Sequence, residues 1–499
     1  MRRFSGWVLG GLAALALGGA AQAQPVDLAD MVGAEREAFL RAMPKGADLH
    51  IHLSGAPYAE DFMAWAAQDG LCIDTEALAL AEPPCDADPK LRPATEALRD
   101  GGLYGAMLDS LSTRRPGFAG RTGHDQFFTA FDRTDALPEA RTGDMLAMVM
   151  ERLAAQNTWY VELMITPQSR PSRMIGRGVG WKGDLAAQKA ASSAAGLDAL
   201  VAAAVAQTDT FEQRARTLLG CGTPQARPGC SVTVRYLAQT NRLVPLEETF
   251  AQVQLGAALV KADPRWVGVQ MVAPEDHPNA LRNYRDHMAM VGFLTGQGRE
   301  VPVALHAGEL TPAYADPEHL RFHIGEAVRV AGARRIGHGV ALPYEDGAAA
   351  LVREMIERGV LVEINLASND IILELEGADH PWLWLRKAGA PYAFSTDDPG
   401  ISRSDLSMEY DRAAEAGATY EDLKRSARNA LAFSFLAGEG LWRDPNGYRQ
   451  AHPACAADLK RVRAPSPACA SLLDGSDKAR EQWRLEERLR AFEAARPRR

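Results

Sequence analysis

Short apolar runs recur along the chain, and between them the apolar residues repeat at the three- and four-residue spacing of helices. Eight runs read as strands: 47–53, 158–166, 231–240, 267–273, 301–309, 334–342, 361–368 and 392–399. Runs such as Tyr160-Val161-Glu162-Leu163-Met164-Ile165 and Val301-Pro302-Val303-Ala304-Leu305 are largely apolar, as strands of a parallel sheet buried on both faces must be. Between strands, 185–207 is alanine-rich, and 348–358 keeps helical spacing until Gly359 stops it. Eight alternating strand and helix units predict an α/β fold of the closed (β/α)8 TIM-barrel type rather than an open sheet.

Three segments fall outside that rhythm. The gap between 53 and 158 is too long for one connection, and it is expected to hold an inserted hairpin clipped by Cys72 and Cys85, then helices. Residues 26–42 suggest a short helix packing on the body. Residues 441–475, rich in Pro, Ala and Cys, read as an irregular loop. Ser476 then caps a charged helix with Trp483, Leu485, Leu489 and Phe492 as its apolar positions. The expected division is an N-terminal arm over 24–45, a barrel over 46–442, and a loop and helix over 443–499 packed on the barrel.

The first residues read as a leader for export. Arg2 and Arg3 precede the apolar stretch 7–20, and Ala21-Gln22-Ala23 is a small-residue cleavage site, so 1–23 is expected to be a signal peptide and the mature protein periplasmic or secreted. No later stretch is long and apolar enough for a membrane span. The formal net charge of −9 repels phosphate backbones and anionic lipid, which argues against nucleic acid or a membrane as partner. Six cysteines allow fifteen pairings. The close pairs Cys72/Cys85, Cys221/Cys230 and Cys455/Cys469, in an oxidising compartment, favour local disulfides, and the absence of any C-x-x-C weakens the zinc-binding reading of these thiols.

Polar residues cluster at the C-terminal ends of the predicted strands, where barrel enzymes keep their active sites. Strand one ends in His50-Ile51-His52, and alternation along a strand sends both rings to one side, within reach of one metal. Alone, an H-x-H is weak. Strand five ends His306-Ala307-Gly308-Glu309, strand six carries Gly337-His338-Gly339, and strand eight ends Ser395-Thr396-Asp397-Asp398-Pro399. Three histidines and a carboxylate suit Zn²⁺ with an open position for water, whose pKa the metal would lower to about 7.

Met43-Pro44-Lys45-Gly46-Ala47-Asp48-Leu49-His50-Ile51-His52, the 306–309 run, Arg335-Ile336-Gly337-His338-Gly339, Ser368-Asn369 and 395–399 together resemble the adenosine deaminase family. The leader, the cysteines, the M-P-K-G start and Val267-Gly268-Val269-Gln270-Met271-Val272-Ala273-Pro274-Glu275-Asp276 resemble its secreted, growth-factor-related branch, whose members are often homodimers. The resemblance runs from about residue 43 to 442. It implies one Zn²⁺ per chain held by His50, His52, His306 and Asp397. It implies Glu309 as the acid that protonates purine N1, and His338 as the residue that orients and deprotonates the attacking water. Asp398 would meet N7, and Ala273, Ser54 and Gly308 would complete the substrate contacts. The implied reaction is hydrolytic deamination of adenosine or 2′-deoxyadenosine. The chain departs from the family pattern at three places: Ser54 where an Asp is usual, Ala273 where a Gly is usual, and Asn365-Leu366-Ala367 before Ser368-Asn369. An acidic chain with no basic cluster near the motifs points to a nucleoside rather than AMP.

Other readings fit less well. Gly178-Val179-Gly180-Trp181-Lys182-Gly183 has the dinucleotide spacing but does not directly follow a strand, so a flexible loop is expected there. His319, His323, Glu309 and Glu318 also make close pairs, read as surface or packing contacts. A binuclear amide or phosphoester hydrolase needs a bridging Lys at the end of strand four, which 267–273 lacks. An extracellular nucleoside-binding or signalling protein would have no need of a proton donor at Glu309.

Overall fold

The computed structural model describes residues 26–115, 118–461 and 464–495, so the expected signal peptide, 1–23, lies outside the described residues. Eight strands form the barrel wall: β1 (Gly46–His52), β2 (Thr158–Ile165), β3 (Thr233–Asn241), β4 (Trp266–Val272), β5 (Ala304–Ala307), β6 (Arg335–His338), β7 (Leu361–Ile364) and β8 (Tyr392–Phe394). They pair in parallel as β1–β2–β3–β4 and β5–β6–β7–β8. Single bridges, Val269 to Val303 and Ile51 to Asp397, join the halves into a closed ring. At β5 the bridge includes a bond from the Val269 N–H to the Pro302 carbonyl, 3.0 Å.

The strands are shorter than the apolar runs that announce them. Pro302 delays β5, and Gly308 at φ 71° ends it. There a Cβ would sit 2.7 Å from Ile324 Cδ1, so the turn requires glycine. β6 stops at His338, itself at φ 64°, and the run expected over 392–399 stops at Phe394 before Asp397 at φ 60°. The expected 361–368 strand ends at Ile364, and the chain turns into the helix Leu366–Leu373 that carries Ser368 and Asn369. Residue 231 belongs to a 3-10 turn, Pro228–Ser231, rather than to β3. The helix read over 185–207 is broken near Ala195 and Gly196 into Leu185–Ala194, a 3-10 turn and Leu200–Leu218.

The insertion after β1 is more than a hairpin. Helix Ala59–Gln68 precedes a three-stranded antiparallel sheet (Ala79–Ala81, Cys72–Asp74, Leu91–Pro93). The Cys72–Cys85 disulfide clips it, and Phe62, Met63, Ile73 and Met107 give it a small core of its own. Helix Gly123–Asp132 follows and roofs the barrel mouth. The tail is not irregular: Ala456–Arg461 and Pro467–Gly475 are short helices linked by Cys455–Cys469. Ser476 accepts the Ala479 N–H and starts Asp477–Ala494, whose Leu485 and Leu489 enter the main core. Cys221 pairs with Cys230, so all three expected disulfides form. Gly178, expected in a flexible loop, lies in the last turn of helix Ser169–Val179.

Inside the barrel, below the strand ends, Arg335 is fully buried. Its guanidinium meets Glu162 at 2.5 Å and Glu363 at 2.6 Å and stacks 4.0 Å from the Phe435 ring. An unpaired charge there would cost several kcal/mol, so the triad must be kept whole. Glu363 also reaches upward to the site.

Candidate metal and active site

His50 and His52 leave β1 on the same face, His306 arrives from β5, and Asp397 follows β8. Their donor atoms converge: His50 Nε2–His306 Nε2 3.1 Å, His52 Nε2–His306 Nε2 3.3 Å, and Asp397 Oδ1 3.2 Å from both His50 Nε2 and His52 Nε2. Four ligands about 2.0–2.1 Å from a tetrahedral ion are about 3.3–3.4 Å apart, so the group has the size of a zinc coordination shell. Two of the three rings are held from the far side, while His306 Nδ1 has no hydrogen-bond partner among the described residues. His50 Nδ1 meets Glu363 Oε2 at 2.7 Å and His52 Nδ1 meets Gln239 Oε1 at 3.0 Å, which keeps the Nε2 lone pairs free for a metal. Asp397 Oδ2 accepts from Ser368 Oγ at 2.6 Å, while its Oδ1 has no hydrogen-bond partner among the described residues. An orphaned carboxylate oxygen facing two imidazole nitrogens calls for a cation, and an N₃O donor set fits zinc.

Beside this group lie Glu309 and His338, 3.5 Å apart at Oε1 and Nδ1, with His338 Nε2 4.0 Å from Asp397 Oδ2. Burial pushes the Glu309 carboxyl well above the usual carboxylate range, the Asp397 and Glu275 charges add to this, and Arg242 opposes it. Burial holds His338 down to about 3, so its ring is neutral. The Gly308 and Glu309 N–H groups donate to the two oxygens of Glu275 at 3.0 and 2.8 Å. His323 Nδ1 lies 2.6 Å from the same carboxylate, and its ring stacks on Tyr284 at 3.6 Å. His323, read from sequence as a surface or packing residue, therefore supports the loop that carries Glu309.

A cavity of about 410 Å³ opens onto these groups, within the usual range of small-ligand pockets. His52, His306, Glu309, Asp397 and Asp398 form its floor, and Phe127, Phe128 and Phe131 of the inserted helix form its roof. Its described lining contains four carboxylates, counting Asp132 at the roof, and no Lys or Arg. Ala273 lies in the wall at φ 85°, keeping the left-handed backbone at a residue with a Cβ. Ser54 lines the mouth. Gly308 does not line the cavity, and its N–H goes to Glu275 rather than to a ligand. Asp398 packs on Gly55, where a Cβ would come within 1.7 Å of Oδ1. Burial pushes its carboxyl up to about 8, with His52 opposing and Asp397 adding.

Sequence reasoning missed the supports: Glu363, Gln239, Glu275, His323 and His380. For Glu363 a signal existed, since a lone charge inside Leu361-Val362-Glu363-Ile364 needs a buried partner. Glu275, at the start of a loop, carries no such mark.

The closed parallel barrel, with its histidine and aspartate cluster at the strand ends, defines a metal-dependent hydrolase fold. More narrowly, the chain belongs to the adenosine deaminase family: the family model described as adenosine deaminase matches residues 118–441, well over half of it. The chain is similar to the adenosine deaminase of Lacticaseibacillus paracasei, 35% identical over 147 residues, and the match covers 28% of this chain and 39% of that enzyme. Among solved structures, the fold matches the N6-mAMP deaminase of Arabidopsis with a TM-score of 0.52 at 18% identity, covering 80% of this chain and 95% of that one. It also matches a cog1816 amidohydrolase from Burkholderia ambifaria, solved with bound zinc, with a TM-score of 0.52 at 18% identity, covering 94% and 98%.

Proposed function

We propose that this protein hydrolyses adenosine or 2′-deoxyadenosine to inosine or 2′-deoxyinosine and ammonia, using one Zn²⁺ held by His50, His52, His306 and Asp397. One observation carries the reading: a zinc-sized ligand group shares a cavity with a buried carboxyl, Glu309, whose protonated form burial favours. The zinc bound by the Burkholderia relative supports the choice of metal. When bound, the metal supplies Lewis-acid activation of a water. Glu309 donates its proton to purine N1, which makes C6 electrophilic. His338 orients the attacking water. Asp398, whose protonated form burial favours, donates to N7, and the Ala273 N–H faces N3. The water oxygen bonds to C6, one of its protons passes to the leaving nitrogen and the other restores the Glu309 carboxyl; the C6–N6 bond breaks, and the amino group leaves as ammonia.

The cavity's lining favours a nucleoside over a nucleotide. A phosphate dianion entering it would find no cationic side chain, and Asp132 at the roof would repel it, in contrast to the N6-mAMP substrate named for the Arabidopsis relative. Ser54 offers the ribose 5′-hydroxyl a weaker partner than a carboxylate would. A panel of adenosine, 2′-deoxyadenosine, adenine and AMP tests this, with the two nucleosides turned over fastest. Faster turnover of AMP, or no deamination of any, refutes the reading. Adenosine and 5′-deoxyadenosine should react at comparable rates. Export after cleavage near Ala23 is part of the same proposal, and the three disulfides support it.

A further inference from the structure

We propose that Asn369 and His380 are positioning residues that form a one-way hydrogen-bond relay, fixing the ring of His338 with its proton on Nε2, the nitrogen facing the metal ligands. The inference rests on the role given to His338 above, but the relay itself is read from bond directions alone.

The direction is set at the far end. The backbone N–H of Trp382 can only donate, and its acceptor is His380 Nδ1 at 3.2 Å. A neutral imidazole that accepts at Nδ1 carries its hydrogen on Nε2. That nitrogen lies 2.9 Å from Asn369 Oδ1, which can only accept. The other end of the amide, Nδ2, therefore faces His338 Nδ1 at 2.9 Å and donates to it. The Asn365 amide Nδ2 stands 3.4 Å from both ring nitrogens, beyond the distance of a good hydrogen bond, so the 2.9 Å bond from Asn369 decides: with its Nδ1 lone pair taken, neutral His338 holds its hydrogen on Nε2. His380 and Asn369 are both buried, and His380 is 2% exposed with no hydrogen bond to an acidic group among the described residues, so nothing there favours a charged ring that would reverse the sequence. Glu309 Oε1, at 3.5 Å from the same Nδ1, is outside the distance of a good hydrogen bond, and its proton stays available to substrate.

The chemical consequence is specific. The resting ring offers the attacking water an N–H donor from Nε2, which orients a lone pair of the oxygen, and does not offer it a base. The relay enters on the short helix Leu366–Leu373, which also brings Ser368 to Asp397, so one element orients both the metal ligand and the histidine. A histidine held in the wrong tautomer, its geometry otherwise intact, can lower turnover by factors as large as about 10⁴.

The test reads the tautomer first. Long-range ¹H–¹⁵N spectra of the zinc-loaded, ¹⁵N-histidine-labelled enzyme, with His338 assigned by its loss in His338→Gln, should show a protonated Nε2 and an unprotonated Nδ1. A protonated Nδ1 in the wild-type protein overturns the proposal. Asn369→Asp replaces the donor by an acceptor of equal size. It should yield a protonated Nδ1 and a kcat lower by about 10- to 100-fold, with zinc content retained and KM changed less than about threefold. An unchanged kcat with Nδ1 protonated also overturns it. His380→Gln keeps a donor toward Asn369 and should hold kcat within about threefold, whereas His380→Phe removes the donor and should lose more. Equal losses in the two variants count against the relay. The spectra need no substrate, so a wrong assignment of adenosine as substrate would leave the tautomer result standing and is detected separately by the substrate panel.

Discussion

His287, on the helix Pro278–Thr295, is fully buried and has no hydrogen-bond partner at either ring nitrogen among the described residues. Burial, reinforced by the charge of Arg242, holds it down to about 3. In the unfolded chain the same ring titrates near about 6.5. Because the folded pKa is the lower one, the unfolded chain takes the proton first, and the native state loses stability as pH falls below about 6.5. Between pH 7 and pH 5 the loss from this residue alone amounts to about 2 kcal/mol. A bare acid titration does not isolate it. Burial raises Asp48, Glu345 and Glu409 each to about 7, and groups shifted in that sense favour the native state as pH falls over the same interval. Comparison with His287→Leu does isolate it, since the leucine cannot titrate and is of similar size. Guanidinium unfolding of both proteins at pH 7 and pH 5 should show the difference between them shifting by about 2 kcal/mol in favour of the leucine variant at the lower pH. Parallel behaviour of the two proteins across that interval would refute the argument that His287 is buried neutral.

Two further substitutions probe the cavity wall and the acid's support. Glu275→Gln leaves one of the Gly308 and Glu309 N–H groups facing an amide N–H; a lost hydrogen bond to a charged group is worth about 1.5–3 kcal/mol, so kcat should fall about 10- to 100-fold with zinc retained, as steady-state rates and metal analysis would show. Ala273→Gly relieves a left-handed strain of about 1–2 kcal/mol, partly offset by the greater freedom of glycine when unfolded. Thermal unfolding should therefore show a gain of up to about 1 kcal/mol, and KM for adenosine should not rise; a clear destabilisation would contradict the backbone assignment.

The barrel was legible because its strands are buried on both faces, which makes Thr158–Ile165 and Leu361–Ile364 nearly continuous apolar runs. Their ends were less legible, because the chain leaves the sheet through left-handed residues, His338 and Asp397, of types that tolerate that backbone but mostly occur outside it. The metal ligands could be found because alternation on one strand puts His50 and His52 on the same side, and the resemblance supplied the rest. Glu275 and His323 could not, since they are 48 residues apart and meet only because two loops pack together. The helices of the 441–475 segment were hidden by its Pro and Ala content; there Ser466 and Pro467 cap and open a helix that Cys455–Cys469 pins to its neighbour. The inserted sheet after β1 was half seen, as a hairpin, because its third strand, Leu91–Pro93, is too short to show a period.

The central claim is that Asp397 belongs to the metal while Glu309 supplies a proton without touching it. The direct measurement is zinc per chain together with adenosine turnover for Glu309→Gln and Asp397→Asn. Glutamine is nearly isosteric with glutamate but cannot give N1 its proton, so Glu309→Gln should keep one zinc and lose at least about 10²–10⁴-fold in turnover. Asp397→Asn should lose zinc, because a neutral amide is a poorer ligand. A Glu309→Gln protein that releases its metal, or that deaminates adenosine at a near-normal rate, would contradict the account.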